Sequence, residues 1–433
     1  MRQSSDVLKD LGPYPDTAGY DLAIQSDSID PLREFRGRYL ATDPDLVYLD
    51  GNSLGRAPHG VVGTVESVVS EEWADRLIQS WNDGWWDLQL RLGDKMAPLV
   101  GASSGEVIIS DSTTVNLYKL AMAAVDAAGQ GRARIVTDDL NFPSDLYILE
   151  SIARAHGGEL VVVPSDGIHG PVAEIESAID DRTALVSLSH TTFQSGYTYD
   201  MSAVTDLAHT AGAMVLWDCS HSVGAIPIDF RASQVDLAVG CTYKYLNGGP
   251  GSPAFLYVRS DLQDTLNNPI TGWWGHRAPF DLDLVFEPVS GIRRFHTGTM
   301  PILSLKAVEP GLDHVLVAGI GAIRAKSELL TSYLVDQWGA HLEPLGFDLA
   351  SPADPSQRGS HITLRHDQAW PINRAMIVDA KVVPDFRAPD TIRLGLAPLY
   401  TGFLDIHTAV QRVKRVIEAK LHLNHLDDKA TVT

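Results

Sequence analysis

The chain has 433 residues, 44% hydrophobic and 21% charged, a globular profile with room for one large domain and a smaller one. A formal net charge of −21 weighs against nucleic acid or an anionic membrane as partner, and no apolar run reaches the roughly 18 residues that a bilayer span needs. Two cysteines, Cys219 and Cys241, give neither a disulfide framework nor a metal spacing, and the polar start MRQSSDVLKDLGPYPD is no signal peptide, so a cytoplasmic protein is expected.

The first 45 residues read as polar helix, with loops at Pro13-Tyr14-Pro15 and Asp43-Pro44-Asp45. Residues 47–55 form a short strand breaking into a turn, where Gly51 and Asn52 let the backbone bend or approach a ligand closely. Residues 60–100 read as helix, interrupted at 80–86 by Trp81, Trp85 and Trp86 around Gly84. Those rings suit an aromatic wall, a core or a dimer contact. A strand over 106–110 then leads through Ser112, Thr113 and Thr114 into a helix over 115–125. Capping hydroxyls there leave backbone N–H groups pointing outward, which suits a phosphate as well as plain capping.

Strands and helices then alternate. Strands are expected at 134–137, 160–164, 184–189, 215–218, 235–239 and 254–258, with a helix over 146–156. With the strand at 107 they make a seven-stranded, mostly parallel sheet covered by helices on both faces, an α/β fold. Phe142, just after a strand, either stacks on a flat cofactor or fills the core. One strand ends at Asp218, with His221 three residues on, and the next leads into Tyr243-Lys244 and a loop with Gly248, Gly249 and Gly251. Functional groups of such sheets gather at the C-terminal ends of strands. A lysine there can attack a carbonyl, or simply extend into water from a strand-connecting turn. With an acid beside it, it suits pyridoxal 5′-phosphate (PLP): the lysine forms the Schiff base and Asp218 pairs with the protonated pyridine nitrogen. As an alternative, Asp218 caps a helix. No GxGxxG, Walker or Gly-x-Ser-x-Gly motif points elsewhere.

A second aromatic turn holds Trp273 and Trp274, and residues 295–301 close the large domain. Residues 302–338 read as helical. Beyond Gly346 the pattern becomes a small α+β domain, with strands at 360–365 and 392–396 and helices at 373–381 and 405–421. Arg393 on its last strand suits bidentate carboxylate binding or a surface salt bridge. The tail, 427–433, is expected to fray. The expected division is 1–55, joined to the small domain; 56–303, large; and 304–433, small.

Nine stretches in order carry a resemblance: LDGNSLG, DSTTVNL, NFPSD, LWDCSHSVGAIP, YKYLNGGPGSPAFLYV, GWWGH, GTMPILSL, RGSHITL and DTIRLGLAPLY. Over about residues 49–421 the chain resembles the kynureninases, PLP enzymes of fold type I (aspartate aminotransferase-like). The resemblance implies that Lys244 carries PLP, that Tyr243 bonds the phosphate and relays protons, and that Asp218 holds the pyridine nitrogen, with Ser189 and His221 nearby. Thr113, Thr114, Phe142, Pro143, Ser144 and Asp145 would seat ring and phosphate. Trp273 and Thr299 would arrive from the partner subunit of a homodimer. Arg393 would bind the substrate α-carboxylate, with Asn52, Trp81 and Trp274 also on the substrate.

The implied reaction is hydrolysis of the Cβ–Cγ bond of L-kynurenine to anthranilate and L-alanine, in tryptophan catabolism. Trp81 and Thr299 stand where animal-type members carry His and Asn, so the bacterial type is implied, with 3-hydroxykynurenine the weaker substrate. The rivals are an enzyme for a modified kynurenine, another fold-type-I PLP enzyme such as an aminotransferase or cysteine desulfurase, and a binding protein without turnover. A desulfurase needs a mobile late cysteine, and none follows Cys241.

Overall fold

In the computed structural model, which describes residues 16–429, the chain enters through helix α1 (Thr17–Ile29) and the two-residue strand β1 (Val47–Tyr48). Helices α2 (His59–Ser67) and α3 (Leu88–Met96) follow, separated by the irregular turns that carry the tryptophans. The loop at Pro13–Pro15 and the chain beyond 429 lie outside the described residues.

The central sheet is built from β2 (Val107–Ile109), β3 (Arg134–Asp138), β4 (Leu160–Val163), β5 (Thr183–Ser189), β6 (Met214–Asp218), β7 (Leu237–Gly240) and β8 (Phe255–Val258). Helices α4 (Thr113–Ala127), α5 (Pro143–Ala155), α6 (Val172–Ala178) and α7 (Met201–Thr210) connect them. The strand order is β2-β8-β7-β6-β5-β3-β4. Every residue of β5, β7 and β8 is buried, because both sheet faces are covered and the strands are apolar throughout.

Neighbours from β4 to β7 run parallel, and β8 runs antiparallel to both β7 and β2. The reversal has a local cause. No helix lies between β7 and β8, so the chain turns straight back, and a parallel return needs a crossover. That helix-free turn carries Lys244.

Two helices begin earlier than their apolar pattern suggests. Helix α4 starts at Thr113, where the Ser112 side chain accepts a hydrogen bond from Val115 N. Helix α5 starts at Pro143, a residue preset for a first helical turn, so Ser144 and Asp145 lie in that turn and not in a loop.

The helical stretch expected over 302–338 divides into α8 (Ile302–Ala318) and α9 (Ile320–His341) at Gly319, whose φ of 78° lies in the left-handed region. The strands β9 (Asp348–Leu349), β10 (His361–Arg365), β11 (Val382–Val383), β12 (Asp385–Arg387) and β13 (Thr391–Gly395) follow, with α10 (Ala369–Val378) and α11 (Phe403–Glu418) packed on them. Strands β12-β13-β10-β9 form an antiparallel sheet, while β11 pairs in parallel with β1. Val47 and Leu49 therefore join the core of this C-terminal α+β layer. The tail does not fray at Asp428, whose carboxylate meets His425 Nδ1 at 2.7 Å and whose carbonyl accepts from Trp370 Nε1.

Candidate active site

The loop after β7 places the Lys244 amine against a histidine. Its Nζ lies 2.8 Å from His221 Nε2. Burial, with Lys244 and Arg393 nearby, holds His221 well below its usual range, so the imidazole is neutral and the amine donates to it. The N-terminal segment locks this loop from outside. Gly55 N donates to Tyr243 O at 2.7 Å, and a Cβ on Gly55 would lie 2.3 Å from the Lys244 carbonyl, so only glycine fits. The neighbouring Cys241 and burial push the Tyr243 phenol above its ordinary range, which keeps it a proton donor.

Strands β5 and β6 pair so that Ser189 and Asp218 end level with each other. Ser220 N donates to Asp218 Oδ1 at 2.8 Å, an arrangement that restrains the carboxylate without capping a regular helix. Ser189 Oγ donates to Asn141 Oδ1 at 2.6 Å. Asp145, from the first turn of α5, is buried against Asp218. Burial first, and the Asp218 charge second, push its carboxyl well above the usual range, and its Oδ2 has no partner. Two facing carboxyls, one at a strand end and one in a first helical turn, call for a cation, which a protonated pyridine nitrogen provides.

The N-termini of α4 and α5 converge. Thr114 Oγ1 and Ser144 Oγ lie 3.1 Å apart, each in the first turn of its helix, where backbone N–H groups are free. Two helix ends and two hydroxyls make a site for a phosphate. Phe142, 38% exposed, presents its ring beside them and meets Phe193 edge-on at 5.2 Å. It is not a core phenylalanine. Phosphate cup, aromatic ring, carboxyl pair and lysine together fit PLP, group for group.

Arg393 is 1% exposed, which rules out the surface salt bridge. Its Nη1 donates to Phe193 O at 2.5 Å, and its Nη2 to Ser53 Oγ at 3.0 Å and to Asp385. Its Nε has no partner, nor has either polar atom of the buried Asn52 amide. A Cβ on Gly395 would lie 1.8 Å from Asn52 Oδ1, so that glycine makes room for the amide.

The two aromatic turns form one wall. Trp86 stacks on Trp274 at 4.3 Å, and Trp81 meets Trp274 at 5.2 Å. Trp274 is buried in this wall, whereas Trp273 and Thr299 are exposed. Among the described residues, no hydrogen bond or ring contact joins Trp81, Trp273, Trp274 or Thr299 to Lys244, His221 or Asp218 within one chain.

A family model described as the kynureninase C-terminal domain matches residues 323–413, and one for the DegT/DnrJ/EryC1/StrS aminotransferase family matches 70–236. The kynureninase of Pseudomonas fluorescens is 41% identical over 400 residues, 91% of this chain and 94% of that protein. The kynureninase of Burkholderia pseudomallei (strain K96243) is 41% identical over 406 residues, 92% and 95% of the two chains. The chain belongs to the kynureninase family.

The kynureninase fold is shared more widely. The apo cysteine desulfurase of Thermococcus onnurineus NA1 superposes with a TM-score of 0.76 at 18% identity, covering 92% of this chain and 98% of its own. A C-DES variant with glycine covalently linked to its PLP cofactor reaches 0.74 at 17% identity, covering 87% and 98%. These likenesses establish PLP fold type I, and the family is PLP-dependent. Both cysteines of this kynureninase family member are fully buried and so lack the mobile thiol a desulfurase requires.

Asn141, Phe193, Asp385 and His361 were not singled out from sequence. Asn141 stands inside the NFPSD stretch, and its place just after a strand is its only sequence signal. The others act through strand register and a loop contact that no local pattern encodes.

Proposed function

We propose that this chain hydrolyses the Cβ–Cγ bond of L-kynurenine, releasing anthranilate and L-alanine, with PLP held at Lys244. What supports this most is the convergence of Lys244, the Asp145–Asp218 pair and the buried Arg393 in a chain 41% identical to kynureninases. When bound, PLP supplies an electron sink for charge that develops beside the substrate nitrogen. Thr113, Thr114 and Ser144 hold its phosphate at the two helix ends, assisted by Tyr243. Phe142 covers its ring, Pro143 fixes the first turn of α5, and Ser189 and Asn141 brace the edge. Asp218 and Asp145 balance the pyridine nitrogen.

The Lys244 amine, once free, takes the substrate's α-proton, and His221 orients that amine by accepting its hydrogen bond. Arg393 and Asn52 bind the α-carboxylate. Trp81 and Trp274 form the wall for the aromatic ring and, packed with Trp273, reach the site from the same copy as it does. Water adds its oxygen to the γ-carbonyl carbon and gives up a proton, the Cβ–Cγ bond breaks, Cβ takes one proton, and the Lys244 ammonium returns the other to Cα, giving alanine and anthranilate. Trp273 and Thr299 complete the site from a second copy, so the working unit is a homodimer. The division into 1–55, 56–303 and 304–433 then places the site between the large domain and the C-terminal one. A cytoplasmic location fits the chemistry, and no described helix is long and apolar enough to cross a membrane.

The test is incubation of the PLP-loaded protein with L-kynurenine, following anthranilate fluorescence and alanine. Lys244→Ala should abolish turnover, and full activity in that variant would overturn the assignment. A kcat/KM clearly higher for 3-hydroxykynurenine would reject the bacterial-type preference.

A further inference from the structure

We propose that His361 is a third hydrogen-bonding side chain of the substrate α-carboxylate subsite, acting beside Arg393 and Asn52. This rests on the function proposed above and names a residue that nothing in that reading requires.

The register of the small sheet carries the argument. Strands β10 and β13 pair with Thr363 opposite Arg393 and His361 opposite Gly395. Side chains two residues apart share a face, so His361, Thr363 and Arg393 lie on one surface. Gly395 offers no side chain there, and the Asn52 amide fills the gap. The His361 ring lies 5.6 Å from that of His221, which holds Lys244. His361 thus lies near both the lysine and the arginine, beside the space where the α-carbon of an amino acid must sit if its nitrogen meets one and its carboxylate the other.

These neighbours share an unusual property. Both ring nitrogens of His361, both polar atoms of the Asn52 amide, Nδ1 of His221 and Nε of Arg393 are buried without a hydrogen-bond partner. The Gln194 carbonyl accepts from the Thr363 hydroxyl and lies near enough to the His361 ring to favour its protonated form, but it makes no well-formed hydrogen bond to either ring nitrogen. Buried polar atoms are normally paired. Six orphans on four adjoining side chains make a socket for a polar ligand.

What a bound carboxylate needs from this socket follows from the charges. Around Arg393 the cations Arg393 and Arg387 face the carboxylates Asp385 and Asp50 and cancel them. A substrate carboxylate there receives little net attraction, so neutral donors must supply the rest of the hold. Asn52 Nδ2 and an imidazole N–H are such donors. Burial first, and Arg393 second, keep His361 neutral, with its pKa near 3, so it donates one N–H and adds no charge.

The experiment compares wild type, His361→Phe, His361→Leu and His361→Gln as PLP-loaded enzymes. Steady-state kinetics with L-kynurenine is paired with competition by its decarboxylated amine, which keeps the ring and ketone but lacks the carboxylate. The two apolar variants should raise KM by about tenfold or more, as expected for a lost hydrogen bond to a charged group. Their kcat should stay within about threefold, and the amine competitor's inhibition constant should not move. His361→Gln, which restores a donor, should recover most of the affinity. An unchanged KM in the apolar variants, or equal weakening of substrate and amine, overturns the proposal. If one apolar variant fails to fold, the other and His361→Gln still decide it. A wild type that releases no anthranilate sinks the function reading before His361 is touched.

Discussion

Lys244 Nζ and His221 Nε2 lie 2.8 Å apart, and both belong to turns at the same end of neighbouring parallel strands. Because burial keeps the imidazole neutral, the histidine orients the amine without competing for its proton. His221→Phe keeps an aromatic ring but removes the acceptor. It should leave the protein able to bind PLP and turn yellow, while kcat falls roughly 10- to 100-fold, the low end of what a positioned acid–base group contributes. Unchanged kcat in a yellow variant would show that the amine needs no such partner.

Asp145 is buried against Asp218 and is held protonated by burial and by that neighbour's charge. The unloaded chain therefore carries a strained carboxyl pair that the pyridine nitrogen relieves. Asp145→Asn should raise the melting temperature of the PLP-free protein at neutral pH, since an amide spares the fold the cost of keeping a proton on a buried carboxyl that the unfolded chain ionises. The same change should weaken PLP binding by about tenfold, or ~1.4 kcal/mol. Calorimetry of the unloaded protein and a PLP titration check both parts. A variant that is less stable and binds PLP as tightly contradicts the pairing.

Much of this site is legible because it is local in sequence. Asp218 and Lys244 follow adjacent strands of a parallel sheet, so their chain order places them side by side. Thr113, Thr114 and Ser144 sit at helix starts that capping chemistry and proline mark. What escapes is set at long range. The apolar period of β10 and β13 shows a strand face but not the register that puts His361 by Gly395. Each tryptophan turn is visible alone, yet the stacking of Trp86 on Trp274 needs the tertiary fold. Phe193 escapes because a backbone carbonyl that receives Arg393 leaves no mark on residue type.

Lys119 is fully buried, and its Nζ bonds Asp111 Oδ2 and the Phe295 carbonyl, both at 2.9 Å. Asp111 also accepts from Ser110 and Thr297, so the pair ties the entry to α4 to the segment 295–297. Burial would raise the Asp111 carboxyl, but Lys119 outweighs it and holds the group below its usual range. Lys119→Met leaves that carboxylate unpaired and should cost about 3–5 kcal/mol of unfolding free energy. Adding Asp111→Asn should recover a large part of the loss. Denaturant unfolding of the single and double variants measures both, and additive losses would refute the coupling.

Asp50 offers the clearest pH signature. It is buried, its Oδ1 has no partner, and its carboxyl is pushed up to about 6, first by burial and then by Asp385. Ser53, Arg393 and Arg387 pull the other way without prevailing. The unfolded chain ionises this group near 3.8. Below that pH both states hold the proton and Asp50 costs nothing. Between about 4 and 6 the unfolded state releases it first, so stability falls as pH rises. Above about 6 the cost is constant, on the order of 2–3 kcal/mol. Asp50→Asn removes the titration while keeping the shape. The variant's stability advantage over wild type should therefore grow between pH 4 and 6 and level off above. Other titrating groups cancel in that difference, so guanidinium unfolding of the two unloaded proteins across this range isolates Asp50. A stability difference that does not vary between pH 4 and 7 would mean that Asp50 is ionised in the fold at little cost.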